Sequence, residues 1–202
     1  MTVTARLLTN QWGESFRFDP GNFCLELLLT GGPPPYDVYE ILTDPAHVAV
    51  WITESRLTVG NPLDPADVLL DEAGLDLIRD FRNVMWRVAP AVASSDRPAG
   101  ADLEFINEAV GDPPHTRLDP GSGVLRWAPP VTAAQVVAAA ARDAVEMIGT
   151  DARERVRQCQ GNNCKLLFLD TSRPGNRRWC SMQRCGNRHK VSTYRHRRQP
   201  PG

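Results

Sequence analysis

The sequence predicts a mainly α domain with one small β-hairpin over residues 1–150, followed by a cysteine-clamped module over residues 151–202. The module is expected to run knuckle, β-hairpin, knuckle, helix, in a treble-clef-like order. Three observations carry this reading. Apolar side chains recur at helical spacing through the middle of the chain. Four of the five cysteines fall in the last fifty or so residues, as two matched pairs. Charge divides at the same place: residues 151–202 hold 13 Lys+Arg against 3 Asp+Glu, a net of plus ten, whereas residues 1–150 hold 10 against 21, a net of minus eleven. Such asymmetry points to a polyanion-binding segment attached to something else. It also implies mutual attraction of the two parts, which would partly mask the basic face. At 202 residues the chain fits one or two domains with a sizeable core.

The elements follow in order. Gln11 to Asp19 alternates loosely and reads as an extended segment or short strand. Phe23 to Leu29 is an apolar run able to open a helix, and the odd cysteine, Cys24, sits in it as an ordinary buried thiol. Pro33-Pro34-Pro35 then breaks the chain. Asp44 before Pro45 forms an N-cap with proline at the first helical position, and Val48, Trp51 and Ile52 share one face. A longer helix lies within Asp67–Ala89, striped by Leu75, Ile78, Phe81, Met85 and Val88. Ser94 to Gly100 is a polar loop, and Leu103, Ile106 and Val110 mark a third helix closed by Gly111. Thr116–Leu118 and Val124–Trp127 form a hairpin around Asp119–Gly123. Thr132 and Gln135 make a capping box for a helix running to Ile148, with the stripe Val137, Ala140, Ala141, Ala144 and Val145. Asp151 to Gln158 connects to the module, with a strand at Val156.

In the module, Cys159 and Cys164 enclose four residues, Cys180 and Cys185 enclose four more, and fifteen separate the pairs. A structural zinc ion takes four ligands tetrahedrally, with sulfur at about 2.3 Å, and its ligands arrive as two close pairs. Gly161, Asn162 and Asn163 suit the first turn, because Gly and Asn tolerate positive φ. Disulfides or redox thiols are the alternative. Disulfides belong to oxidising compartments, and the first residues show no basic start followed by an apolar stretch, so a cytoplasmic protein with bound Zn2+ is expected. Iron is the competing metal. Lys165–Asp170 and Arg177–Trp179 read as the two strands of a hairpin turning at Pro174-Gly175, and a helix is expected from Met182 to about Arg197. Leu167, Leu169 and Trp179 would supply a small apolar body. Without metal, about fifty residues this poor in apolar groups could hardly hold a core.

The stretch from Phe168 to Lys190, FLDTSRPGNRRWCSMQRCGNRHK, resembles the CGNR zinc-finger family, whose four-letter core stands here as Cys185-Gly186-Asn187-Arg188. The upstream cysteine pair, the FLD-[ST]-S-R hairpin, the RRWCS lead-in and the basic tail are all present. The resemblance implies that Cys159, Cys164, Cys180 and Cys185 are the metal ligands. It also implies an N-terminal helical domain concerned with sensing or stress regulation, with an LDFVNT-like segment near its start. The corresponding place here reads Cys24-Leu-Glu-Leu-Leu-Leu-Thr30.

A basic face accompanies the cysteines. On a helix starting at Met182, Arg184, Arg188 and Arg195 share one side; Arg177 and Arg178 come from the hairpin; Lys190, Arg197 and Arg198 extend the surface. Arginine's planar fork suits phosphate and guanine edges, so the expected partner is DNA and the expected function transcriptional regulation. His189 is expected on the surface rather than among the ligands. The acidic domain is left to bind a small-molecule effector or partner, or to form a homodimer. RNA or an acidic protein surface is the alternative target. A nuclease would need an open metal position with His or carboxylate ligands, which four thiolates do not offer. No P-loop, GxGxxG, HExxH, GxSxG or zinc-deaminase pattern occurs, so an enzyme is not expected. Trp51, Trp86 and Trp127 are core candidates that could also line a ligand pocket. No run of eighteen apolar residues could form a transmembrane helix.

Overall fold

The structure, a computed structural model, describes residues 5–9 and 13–198, with side chains through Ser192. Gln11 and Trp12, part of the expected extended segment, lie outside the described residues. Around them Arg6–Thr9 (β1) and Ser15–Phe18 (β2) pair antiparallel, with Arg6 opposite Phe18 and Thr9 opposite Ser15. In β2 the period-two alternation sends Phe16 and Phe18 inward.

Phe23–Glu26 (α1) is a single helical turn, capped by Asn22 and continued by one 3-10 turn over Leu27–Thr30. Pro45–Thr53 (α2) starts at the expected cap, where Asp44 accepts from the N–H groups of Ala46 and His47. Glu72–Ala93 (α3) is capped by Asp71, whose carboxylate accepts from Gly74 N–H at 2.8 Å. This helix runs through Pro90 and so ends beyond the expected Ala89. Pro90 lies in the last turn, where its missing N–H costs one hydrogen bond and little of the helix remains to be broken.

Gly100–Ala109 (α4) stops short of Val110, which is exposed. Val68–Leu69 (β3) pairs in parallel with Val131–Thr132 (β6), and Thr116–Leu118 (β4) forms the expected hairpin with Leu125–Trp127 (β5). Ala133–Gly149 (α5) opens on the complete capping box of Thr132 and Gln135. Val137, Ala140, Ala141 and Ala144 are buried as the stripe requires. Val145 is not: it is 39 % exposed, and Val136 and Met147 complete the buried face instead.

The core of the helical part is α3 against α5, with α1, α2 and α4 around them. The alanines of α5 let α3 and α4 approach closely. Three buried polar contacts tie this layer together. Asp143 of α5 accepts the α1 N–H groups of Phe23 (2.6 Å) and Cys24 (3.1 Å), although burial pushes its carboxyl above the ordinary value. Glu26 is held by Arg6 at 2.5 Å and by the Arg56 N–H, and burial raises it likewise. Arg82 takes both carboxylate oxygens of Glu40 at 2.7 Å. Cys24 is fully buried, and burial with Asp143 nearby pushes its thiol well above the usual value, as suits an inert core residue.

Val156–Gln158 (β7) and Leu167–Leu169 (β8) form the hairpin of the cysteine module, and Asn187–Arg198 (α6) its helix. One expected pairing is corrected here. The Leu167–Leu169 strand pairs with the strand before Cys159, across the knuckle, and not with Arg177–Trp179. That later stretch runs without strand structure and meets the knuckle through a backbone hydrogen bond from Gln160 N–H to Arg178 O at 3.0 Å. Side-chain chemistry decides it: Val156 sets a buried apolar side chain opposite Leu169, whereas the Arg177 N–H is taken by the Asp170 carboxylate at 2.7 Å instead of by a strand partner.

The apolar body of the module differs from expectation in part: Trp179 packs against it as expected, but the two leucines turn elsewhere. Leu167 and Val156 face the large helical core, and Leu169 packs against it. The module's own centre is Phe168, fully buried with the four cysteines, and its partners Phe16 and Phe18 come from β2. The first hairpin of the chain is therefore part of the last module. Phe18 meets Phe168 edge-on, ring centroids 6.4 Å apart. Fully burying each such side chain contributes about 1.5–3 kcal/mol.

Candidate metal centre

The knuckle after β7 begins with Cys159, whose N–H bonds to Leu166 O at 2.9 Å, and closes with Cys164, whose N–H bonds to Gly161 O at 3.0 Å. Asn163 takes the left-handed conformation at φ 61°, as foreseen for an Asn in this turn. Gly161 has a different reason to be glycine: a Cβ there would stand 2.7 Å from Cys185 Sγ. The second pair is placed by a wide turn, Met182–Gly186, in which Gly186 N–H reaches back five residues to Ser181 O, with the Ser181 hydroxyl accepting from Arg184 N–H. Single turns of this π type re-aim side chains at functional positions, and here the turn delivers Cys185 to the cluster.

The sulfur atoms of Cys159, Cys164, Cys180 and Cys185 lie within 4.8 Å of one another, and all four residues are buried. Cys164 Sγ is 3.8 Å from Cys180 Sγ, which is 3.5 Å from Cys185 Sγ. Four sulfurs at about 2.3 Å from one tetrahedral ion would stand about 3.8 Å apart. Disulfide sulfurs stand about 2.05 Å apart, and these cysteines are free thiols. The donor set therefore fits a zinc ion. Electrostatics agrees. Hydrogen bonds from the Cys164 and Cys180 thiols hold Cys159 down to about 2. The same contacts push Cys164 up to about 12 and Cys180 upward. One thiolate suppresses the next unless a dication compensates them. Cys180 N–H points at Cys159 Sγ (3.2 Å) and Arg184 Nη1 at Cys164 Sγ (3.9 Å), both suited to offset anionic sulfur.

Fold and centre together define a class: a helical domain joined to a four-cysteine zinc module. Residues 155–198 match the CGNR zinc finger, and residues 21–151 match the ABATE family, described as "Putative stress-induced transcription regulator". The second match spans well over half of the chain, and the chain belongs to the ABATE family. No curated protein matches it. The protein is a zinc-binding regulatory protein, with zinc as its cofactor.

The basic residues separate into two groups. Arg177 is turned inward: it donates to Trp179 O (3.0 Å), Cys180 O and Asp19 O (3.2 Å), and its guanidinium lies 4.1 Å over the Phe168 ring. Asp170, fully buried, accepts the N–H groups of Ser172 and Arg177; burial opposes its charge, but these bonds prevail and hold its carboxyl below the ordinary value. Arg184 is half-buried, stacked 4.2 Å over Phe16. It therefore does not share the outward side of the helix with Arg188. Arg178, Arg188 and Lys190 are exposed. Arg178 donates to Gln160 and Arg188 pairs with Glu14, an ion pair between the acidic and basic parts. Arg195, Arg197 and Arg198 lie on α6 with side chains outside the described residues. His189 is exposed and tilted against Trp179, ring centroids 4.8 Å apart, away from the sulfur cluster. No helix among the described residues is long and apolar enough to cross a membrane.

Each of the three tryptophans borders a cavity: Trp86 one of about 450 Å³, Trp51 one of about 390 Å³ and Trp127 one of about 270 Å³. Tyr36 and Tyr39, beside Trp86, were missed by the sequence reading. The triple proline before them reads as a chain break, and no periodicity marks residues that meet across a turn.

Proposed function

We propose that the protein is a DNA-binding transcriptional regulator whose zinc module contacts the duplex and whose helical domain binds a signal. The observation that carries this is the cationic helix α6, which is exposed over residues 187–192 and begins two residues after the last cysteine, so that the metal anchors it. Positions 188 and 195 fall on one side of α6 and positions 190 and 197 on the opposite side, by the helical period. A helix basic on both flanks suits a major groove about 12 Å wide, where each flank meets the phosphates of one strand. The DNA-contacting set is Arg178, Arg188, Lys190, Arg195, Arg197 and Arg198. Arg177 and Arg184, expected in this set from sequence, serve the module's interior in this proposal. Cys159, Cys164, Cys180 and Cys185 are the zinc ligands; residues 1–150 are the main signal-binding part and residues 151–202 the part that contacts nucleic acid.

The test is a duplex titration at several salt concentrations with Arg188→Ala and Lys190→Ala combined. Affinity should fall across all sequences and the log–log salt slope should lessen by about two, one for each lost phosphate contact, with zinc content intact. An unchanged slope counts against this face. Preference for structured RNA over duplex at matched salt would transfer the reading to an RNA-binding module.

A further inference from the structure

A cleft of about 450 Å³ lies where the N-terminal segment meets the zinc knuckle, a size common among small-molecule sites. One wall is aromatic and aliphatic. Tyr36 stacks on Trp86 with centroids 3.9 Å apart and planes 9° from parallel, and Leu28, Leu29 and Phe16 continue the surface. Trp86 is locked in place: its Nε1 donates to Gly31 O at 2.7 Å, and a Cβ on Gly32 would stand 2.3 Å from the indole nitrogen. At the mouth Leu7 is 65 % exposed and Val38 73 %. Apolar groups gathered on one surface in this way mark an interaction site.

The wall from the zinc module carries the polar and cationic groups Asn163, Lys165 and Arg184 beside Cys164 and Leu166. The acidic residue of the lining, Glu40, has its charge matched from behind by Arg82. Neither Lys165 nor Arg184 pairs with a carboxylate among the described residues. The Arg184 Nε–H is shielded from solvent and has no acceptor there. An arginine with unused donors beside an apolar wall recognises one kind of molecule best, a carboxylate attached to an apolar body.

We propose that this cleft binds a small amphipathic carboxylic acid, its apolar body against Tyr36, Trp86 and Leu29 and its carboxylate on Arg184 and Lys165. The site deepens the signal-binding role given above and rests on it for its regulatory meaning. Arg184 Nη1 lies 3.9 Å from Cys164 Sγ, so a bound carboxylate competes with a metal-ligand sulfur for the same guanidinium. The signal would then stand one side chain away from the zinc.

The experiment is calorimetric titration of the full-length, zinc-loaded protein with no nucleic acid present, so its outcome is independent of whether DNA is the partner. Naphthalene-2-carboxylate and decanoate are the probes, each compared with its corresponding alcohol. At least one acid should bind saturably and roughly tenfold or more tighter than its alcohol, since only the acid uses the charged donors. Ile41→Trp, which fills the mouth, should abolish binding. Arg184→Gln should weaken the acid by roughly tenfold and leave the alcohol unchanged, with one zinc per chain retained. If that variant loses zinc, Lys165→Gln replaces it with the same expectation in direction. Equal affinity for acid and alcohol, no binding of either acid, or unchanged acid affinity in the charge variant overturns the proposal. So does a concentration-dependent dimer that Val38→Glu dissociates while no acid binds, which would assign the surface to a second copy of the chain.

Discussion

Replacing Phe18 by alanine tests the central feature of this architecture, the contribution of the first hairpin to the metal module. Phe18 is 1 % exposed, its ring meets Phe168 edge-on at 6.4 Å, and the Arg177 guanidinium lies 5.7 Å from its centre. Truncating a buried phenylalanine costs about 3–5 kcal/mol through lost transfer energy and the cavity left behind. Because the body of a small zinc module forms with metal binding, contact energy lost from that body reappears as lost zinc affinity. At about 1.4 kcal/mol per tenfold, the lower limit corresponds to a zinc dissociation constant weakened about a hundredfold. Competition with a chromophoric chelator measures this directly, with urea unfolding in parallel. A zinc affinity within twofold of the unaltered protein, alongside a lowered urea midpoint, would show that β2 stabilises only the helical part and would refute the reasoning.

Chelating the zinc, or changing Cys180 to alanine, should raise amide hydrogen exchange in β1 and β2 as well as in the module, read by mass spectrometry, because Phe16 and Phe18 lose their partners. Arg82→Ala should destabilise the helical part by about 3–5 kcal/mol in urea, since it strands the Glu40 carboxylate beside a buried gap. Thr132→Ala, which removes half of the α5 capping box, should cost about 1 kcal/mol in the same assay. Glu40 is partly buried, which opposes ionisation, yet the Arg82 hydrogen bonds prevail and hold its carboxyl below the ordinary value. The stability it contributes is full above the ordinary glutamate pKa and is lost as pH falls through the depressed folded value. Glu40→Gln should therefore flatten the acid side of the stability–pH curve, followed by urea midpoints between neutral and strongly acidic pH.

The extent to which the chain could be read without coordinates varies from element to element. The caps at Asp44 and Thr132 and the turn around Asp119 were legible because each is decided by residues a few positions apart. The two cysteine pairs are legible because a gap of four residues lets one turn aim both of its sulfurs the same way, and the fold then brings the pairs together. The pairing of β8 is not legible, since a Pro-Gly turn is a strong local signal and nothing local shows that the Asp170 carboxylate takes the Arg177 N–H. Arg177 and Arg184 looked like surface cations because a long basic side chain carries no mark of which way it folds back. Only the presence of Phe16, Phe18 and Phe168 under their guanidinium groups turns them inward.

The sequence by itself determined the paired-cysteine pattern, the order of the helices and the division of charge, all of which depend on local spacing and composition. Tertiary structure decided that the first hairpin completes the last module, that Val156 and Leu167 belong to the helical core, and that a cleft with a cationic wall opens between the two parts. Those outcomes depend on contacts between segments far apart in the chain. Such contacts are set by which apolar surfaces remain uncovered once local structure has formed, and no short-range pattern records that.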